Sequence, residues 1–248
     1  CTTIFVKFPV RDDLGRLGQY GDVSRMSFVI WTTTPWTIPG NMAICVNAEF
    51  DYVLLQLPSG EICILAKELA GSVCKAAGLD IDICKVLATL KGADFELMTA
   101  KHPLFDRDSV LLCGEHVTLD AGTGCVHTAP GFGADDYETC KRYKIDMVVP
   151  VDDQGRHTDY AGKYAGMKTE ESNPVILADM KESGALFASE EIVHSYPHCW
   201  RCKKPIIFRA TPQWFCSVDS FKDEACAACD DVRWVPGWGI DRMKSMIR

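Results

Sequence analysis

Two stretches of this chain carry side chains that can do chemistry. The first is Trp31-Thr32-Thr33-Thr34-Pro35-Trp36-Thr37-Ile38-Pro39-Gly40-Asn41, which sets the hydroxyls of Thr32, Thr33, Thr34 and Thr37 beside two prolines at the end of an apolar run. A threonine hydroxyl both donates and accepts, and Pro35 biases Thr34 toward extended geometry. The segment therefore offers a rigid row of polar groups, suited to a ligand rich in hydroxyls and ring nitrogens. The plainer reading of the same residues is a β-branched strand that ends in a proline-bounded turn. The second stretch is Gly122-Thr123-Gly124-Cys125-Val126-His127-Thr128-Ala129-Pro130-Gly131-Phe132-Gly133-Ala134-Asp135-Asp136-Tyr137. It reads as a short apolar strand, a glycine and proline loop, and an acidic helix start.

Asp136 stands two residues inside that helix start, where a carboxylate gains from the exposed amides and the helix dipole, so capping alone would account for it. His127 follows Cys125 by two, which on a strand puts both on one face and suggests a Cys–His nucleophile pair. A strand histidine is also commonly a satisfied core group. Cys199-x-x-Cys202 has zinc-ligand spacing, and Cys226-x-x-Cys229 follows with 23 residues between. The second pair lies in 221–230, which reads as an ordinary helix. A zinc deaminase, suggested by Pro197-His198-Cys199-x-x-Cys202, is excluded because no His-x-Glu occurs in the chain.

The 248 residues suffice for one large β-rich domain or two small ones, and 47% hydrophobic content is globular. No run of about 18 apolar residues and no secretory signal pattern is present, so a cytoplasmic location without a membrane span is expected. Beginning at Cys1 and ending on a charged helix-like run, the chain reads as a piece excised from something longer. Thirteen cysteines, mostly single and in apolar runs, read as buried reduced thiols. A net charge of −8 disfavours a chain that grips long nucleic acid by itself and leaves room only for a short single-stranded end.

The elements that must position these residues are short β-branched and aromatic runs at 26–31, 43–46, 52–56, 61–65, 110–119 and 125–128, with turn signals between them. They suggest an antiparallel sheet or barrel. Helical periodicity appears at 67–77, 134–143 and 172–183, where Gly184 supplies a stop. Helices decorate the sheet rather than alternate with strands, giving an α+β, β-rich class. A core over 1–193 and a C-terminal segment over 194–248 are the expected divisions.

Together the two stretches resemble the editing domain, the insertion called connective polypeptide 1, of isoleucyl-tRNA synthetases, whose members carry a WTTTPWT-type peptide and a GTGxVHxAP element followed by an acidic pair. The resemblance extends to His194-Ser195-Tyr196-Pro197-His198-Cys199-Trp200-Arg201-Cys202 and Ala210-Thr211-Pro212-Gln213-Trp214-Phe215, in the family's order. Phe132 stands where many bacterial members have His. The valyl and leucyl relatives carry an Arg and an acidic residue at the positions of Thr34 and Trp36, which favours the isoleucine branch over those two. A non-catalytic RNA or zinc interaction module is the alternative from another class.

The resemblance implies a compact β-barrel editing domain with peripheral helices. It also implies hydrolysis of valine wrongly attached to isoleucine tRNA, a role in protein biosynthesis. In that picture Thr32, Thr33, Thr34 and Thr37 bind the terminal adenosine and line the pocket, Asp136 holds the α-ammonium, and His127 forms a wall that excludes isoleucine. Asp136, Thr33 and His127 are the expected catalytic group, with water as the nucleophile. The expected partners are the 3′ end of the tRNA and the rest of a synthetase in cis, with the piece itself a monomer. No cofactor is expected for editing. Cys199 and Cys202 could form half of a zinc site whose other cysteines lie upstream. The HIGH and KMSKS signatures of ATP binding are missing, so no amino-acid activation is expected from this piece.

Overall fold

The computed structural model describes residues 2–248, which fall into two compact units meeting at Ala210 and Thr211. Among the described residues the first unit holds strands β1 (Thr2–Asp12), β2 (Met26–Thr32), β3 (Ala43–Val46), β4 (Asp51–Gln56), β5 (Ile62–Ala66), β6 (Lys85–Lys91), β7 (Thr99–Lys101), β8 (Asp108–Cys113), β9 (Val126–Thr128) and β10 (Leu186–Glu191). Its helices are α1 (Ala70–Ala76), α2 (Ala134–Arg142) and α3 (Thr169–Glu182).

Six strands close a barrel in the order β1-β7-β8-β3-β9-β2, because β2 pairs back onto β1 from Ile4↔Thr32 to Pro9↔Ser27. Strands β5, β4 and β6 extend the sheet from β2, and β10 extends it from β1. Closure leaves the six barrel strands without a free edge, and β10 and β6 end the extensions. The core is aromatic and aliphatic: Phe28 and Tyr52 both meet Phe95 edge-to-face, at 5.4 and 5.7 Å between ring centres, with Ile4, Phe8 and Ile30 fully buried. The Tyr52 hydroxyl donates to the Gly124 carbonyl at 2.7 Å and accepts from the Asn47 amide at 2.9 Å, which ties the Gly-Thr-Gly turn to the barrel.

The barrel expectation holds, with the helices peripheral, but three ladders are parallel rather than antiparallel: β2–β5, β2–β9 and β3–β8. Parallel neighbours require long connections, and the chain supplies them with whole strands and helices between each pair. The run at 110–119 leaves the sheet at Cys113, where a turn closes from Val117 N–H to the Gly114 carbonyl. Helix α3 starts one turn before 172, at Thr169, with the Glu171 carboxylate accepting the Lys168 amide at 3.3 Å.

This topology brings the two chemical stretches together. Trp31 of β2 lies beside Val126 of β9, and Ile44 of β3 faces His127. Both strands then run out of the sheet at the same end, β2 into a 3₁₀ turn over Pro35–Gly40 and β9 into the loop before α2.

The second unit carries α4 (Lys222–Ala228), a 3₁₀ turn (Cys229–Asp231) and α5 (Gly239–Ile247). Lys244 pairs with Asp230 at 2.6 Å, and the Trp234 indole N–H donates to the Cys229 carbonyl at 2.8 Å. Among the described residues no helix is long and apolar enough to cross a membrane.

Candidate active site

The threonine-rich peptide is a tight, internally bonded turn. The Thr32 hydroxyl accepts the Thr34 amide at 3.0 Å, and the Thr34 carbonyl accepts both the amide and the hydroxyl of Thr37, at 3.1 and 2.8 Å. Pro35 and Pro39 fix their own φ and offer no N–H, so every residue from Pro35 to Gly40 can be buried with few donors left to satisfy. The Trp36 amide finds its acceptor 137 residues away, in the side-chain carbonyl of Asn173 on α3 at 2.9 Å.

His127 is locked into one neutral form. Asn41 donates its side-chain amide to the Ala43 carbonyl at 2.8 Å and accepts the Ser109 hydroxyl on its oxygen, which fixes the orientation of the amide. The same amide nitrogen donates to His127 Nδ1 at 2.8 Å. The imidazole proton therefore sits on Nε2 and points to the Thr37 hydroxyl at 3.0 Å, whose own hydrogen is committed to Thr34. Burial pushes the imidazole down to about 4.

The pairing of His127 with Cys125 does not form. The Cys125 thiol is buried and directed at the Ile64 carbonyl, burial raises its pKa, and both imidazole nitrogens are taken by other partners. A thiolate nucleophile is excluded at this position because nothing near it favours the charged form.

Asp136, the third residue of α2, reaches back past the helix end and accepts the Ala129 amide at 2.8 Å. Gly133 makes room for it: a Cβ there would sit 3.0 Å from the carboxylate carbon. Burial raises the Asp136 pKa, offset in part by the hydrogen bond from the Ala129 amide. Among the described residues no Lys or Arg pairs with Asp136. A mostly buried carboxylate with one amide bond and no Lys or Arg partner has room to accept a cation.

Thr32, Thr34, Thr37, His127 and Asp136 line one cavity of about 190 Å³, closed on its apolar side by Trp36 and Phe132, whose rings meet edge-to-face at 5.0 Å. A second cavity of about 370 Å³ is lined by Thr33, Thr34, Trp36, Asn173 and the first residues of α3. The two share Thr34, Trp36 and Tyr196 as a common wall. Thr33 thus faces the larger cavity and not the one that holds Asp136. Sequence reasoning did not single out Asn41, Asn173 or Tyr196. The first two act only through contacts that the fold creates, although Asn41 closes the threonine motif.

Cys199 and Cys202 lie on a loop where the amides of Cys202 and Arg201 lower the Cys199 pKa, as a metal-binding knuckle would require. Two thiolates are half of a tetrahedral zinc set. Cys226 and Cys229 are buried in the helical second unit, and among the described residues no group of three or more His, Cys, Asp or Glu gathers to hold a metal.

Residues 127–248 match the family of tRNA synthetases class I (I, L, M and V). The isoleucine–tRNA ligase of Thermoanaerobacter sp. (strain X514) is 51% identical over 99% of this chain, and that of Caldicellulosiruptor bescii is 52% identical over the same share. In each case the match covers 26% of the relative, so the chain spans about a quarter of the length of the curated relatives it matches. Among solved structures, the editing domain of the P. knowlesi cytosolic leucyl-tRNA synthetase superposes with a TM-score of 0.61 at 14% identity, covering 77% of this chain and 97% of that one.

Proposed function

Since this chain belongs to the class I tRNA synthetases and has the fold of their editing domains, we propose that it hydrolyses the ester linking a wrong amino acid to the 3′ end of a tRNA. The observation that carries the reading is the convergence of the threonine hydroxyls, His127 and an Asp136 carboxylate without a Lys or Arg partner on one cavity of about 190 Å³. The amino acid occupies this cavity with its α-ammonium on Asp136, which restores a charge partner to the carboxylate. Its side chain rests against Trp36, Phe132 and the His127 ring. The terminal nucleoside lies in the larger cavity, on Thr33, Thr34 and Asn173, and the shared wall places the ester near Thr34.

The nucleophile is water. It adds to the ester carbonyl, the ribose oxygen leaves with a proton, and a free amino acid and an uncharged tRNA end result. His127 does not act as the base, since its acceptor nitrogen is occupied by Asn41. Aminoacyl esters are already activated, so holding the carbonyl and the water in place and donating hydrogen bonds to the developing oxyanion supply the acceleration.

High identity to isoleucine–tRNA ligases supports valine on isoleucine tRNA as the substrate. One methylene in an apolar pocket is worth roughly 1–3 kcal/mol, and the isoleucine/valine pair is the standing instance of that limit. A second cavity that admits valine and rejects isoleucine sorts by exclusion. The chain works in cis with the remainder of a synthetase in the cytoplasm. Deacylation of valyl-tRNA and isoleucyl-tRNA, both built on isoleucine tRNA, is the test. Equal rates on the two esters, or a rate on valyl ester unchanged by Asp136→Ala, would refute the reading.

A further inference from the structure

We propose that Arg107, with His102 beside it, is a positioning residue for the editing reaction, acting on the threonine-rich turn from outside the cavity lining. The inference rests on the hydrolytic reading above. The turn ends in two carbonyls, those of Ile38 and Pro39, each held by a side chain that does not line the cavity. The Ile38 carbonyl accepts the Asn41 amide and also His102 Nε2, both at 2.9 Å. His102 Nδ1 accepts the amides of Leu104 and Phe105 at 3.1 and 3.3 Å, so its proton lies on Nε2 and its donor is committed to Ile38. The Pro39 carbonyl accepts Arg107 Nη2.

Arg107 is unusual in its surroundings. It is half-buried between the rings of Phe105 and Tyr160, at 5.1 and 4.9 Å from their centres, and among the described residues no carboxylate pairs with it. A guanidinium removed from water and left without a carboxylate is costly. Stacking on two rings and one carbonyl are what it receives in return. That carbonyl lies between Thr37 and Asn41, the two residues that hold His127. Loosening Pro39 thus moves the hydroxyl and the amide that orient the imidazole, and misplacement by about 1 Å costs as much as a hundredfold in rate.

The test compares this chain with Arg107→Met, which keeps the stem between the rings but removes the donor, and with Arg107→Lys, which keeps the charge but loses the planar fork. The readouts are steady-state deacylation of valyl-tRNA made on isoleucine tRNA and amide hydrogen exchange. The expected result is a kcat lower by about tenfold to a hundredfold in Arg107→Met with KM within about twofold, and partial recovery in Arg107→Lys. Exchange at the amides of Thr37 and Asn41 should quicken while Leu54 and Ile64 in β4 and β5 stay protected. Wild-type kcat in Arg107→Met, or a loss confined to KM, removes Arg107 alone. A wild-type chain that hydrolyses no ester removes the editing reading, and the role of Arg107 with it.

Discussion

The side-chain amide of Asn41 donates to Nδ1 of His127 over 2.8 Å, and this single bond decides what the histidine can do. A protonated or Nδ1–H imidazole would place two donors face to face. The ring is therefore held as a neutral Nε2–H donor toward Thr37, a shaped wall with one fixed hydrogen. His127 should show no titration between pH 5 and pH 8 in a ¹⁵N-resolved spectrum, with Nδ1 carrying the unprotonated signature, because burial holds it down at about 4. A midpoint near the ordinary value of about 6.5 would contradict the assignment.

Asp136 carries a conflict between stability and activity. Burial raises its pKa, so the folded chain binds a proton more readily than the unfolded one, and stability is lost as pH rises through the raised value. Asp136→Asn keeps an oxygen for the Ala129 amide and removes the buried charge. Thermal unfolding at pH 7 should therefore shift upward by a few degrees, given that about 1 kcal/mol moves the midpoint of a chain this size by roughly 2–4 °C. The gap should close as pH falls into the ordinary carboxylate range. Deacylation by the same variant should drop by at least about tenfold through loss of the ammonium contact. A destabilised variant with full activity would reverse both halves of the argument.

The apolar side of the cavity that holds Asp136 is set by Phe132 against Trp36, and Gly40 lets them close: a Cβ there would lie 2.7 Å from the Phe132 ring. Phe132→Ala should widen the cavity and admit the extra methylene of isoleucine. The ratio of valyl to isoleucyl ester hydrolysis, as kcat/KM, should fall by about tenfold or more, within the discrimination that one methylene provides. A ratio that stays the same would place the sieve elsewhere.

How far the sequence disclosed this arrangement depended on the distance over which each residue acts. Thr32 to Thr37 and Ala134 to Arg142 announce a turn and a helix through their own prolines, glycines and acids, and the structure has both. Strand β1 announces itself poorly: its first half, Thr3 to Val6, is buried on both faces and shows no alternation, and Pro9 interrupts the half that does alternate, Val6 to Arg11. Strand β7 has three residues, too few for any period. The antiparallel expectation holds for most ladders and fails at β2–β5, β2–β9 and β3–β8, because strand direction is a property of connections, which local pattern does not encode. Asn173 reaches Trp36 from 137 residues away, a contact that only the closed barrel and the placement of α3 create.

Three buried histidines, His102, His127 and His157, each held down by burial, give the chain an acid-sensitive fold. Burial holds His102 at about 3 and His127 at about 4, against about 6.5 in the unfolded chain. The unfolded chain thus binds more protons than the folded one between those values, and the contribution is intact above about pH 6.5 and lost as pH falls below it. Each of His102 and His127 sheds about 1.4 kcal/mol per pH unit inside that window, so these two together outweigh the opposite tendency of the single carboxylate of Asp136. Denaturant unfolding followed from pH 7 to pH 5 should show a steep fall in stability. His102→Gln, which keeps a donor for the Ile38 carbonyl and cannot take up a proton, should lower the slope by about a third to a half. A flat profile in the wild type, or an unchanged slope in the variant, would show that these rings are not the groups whose protonation opens the barrel.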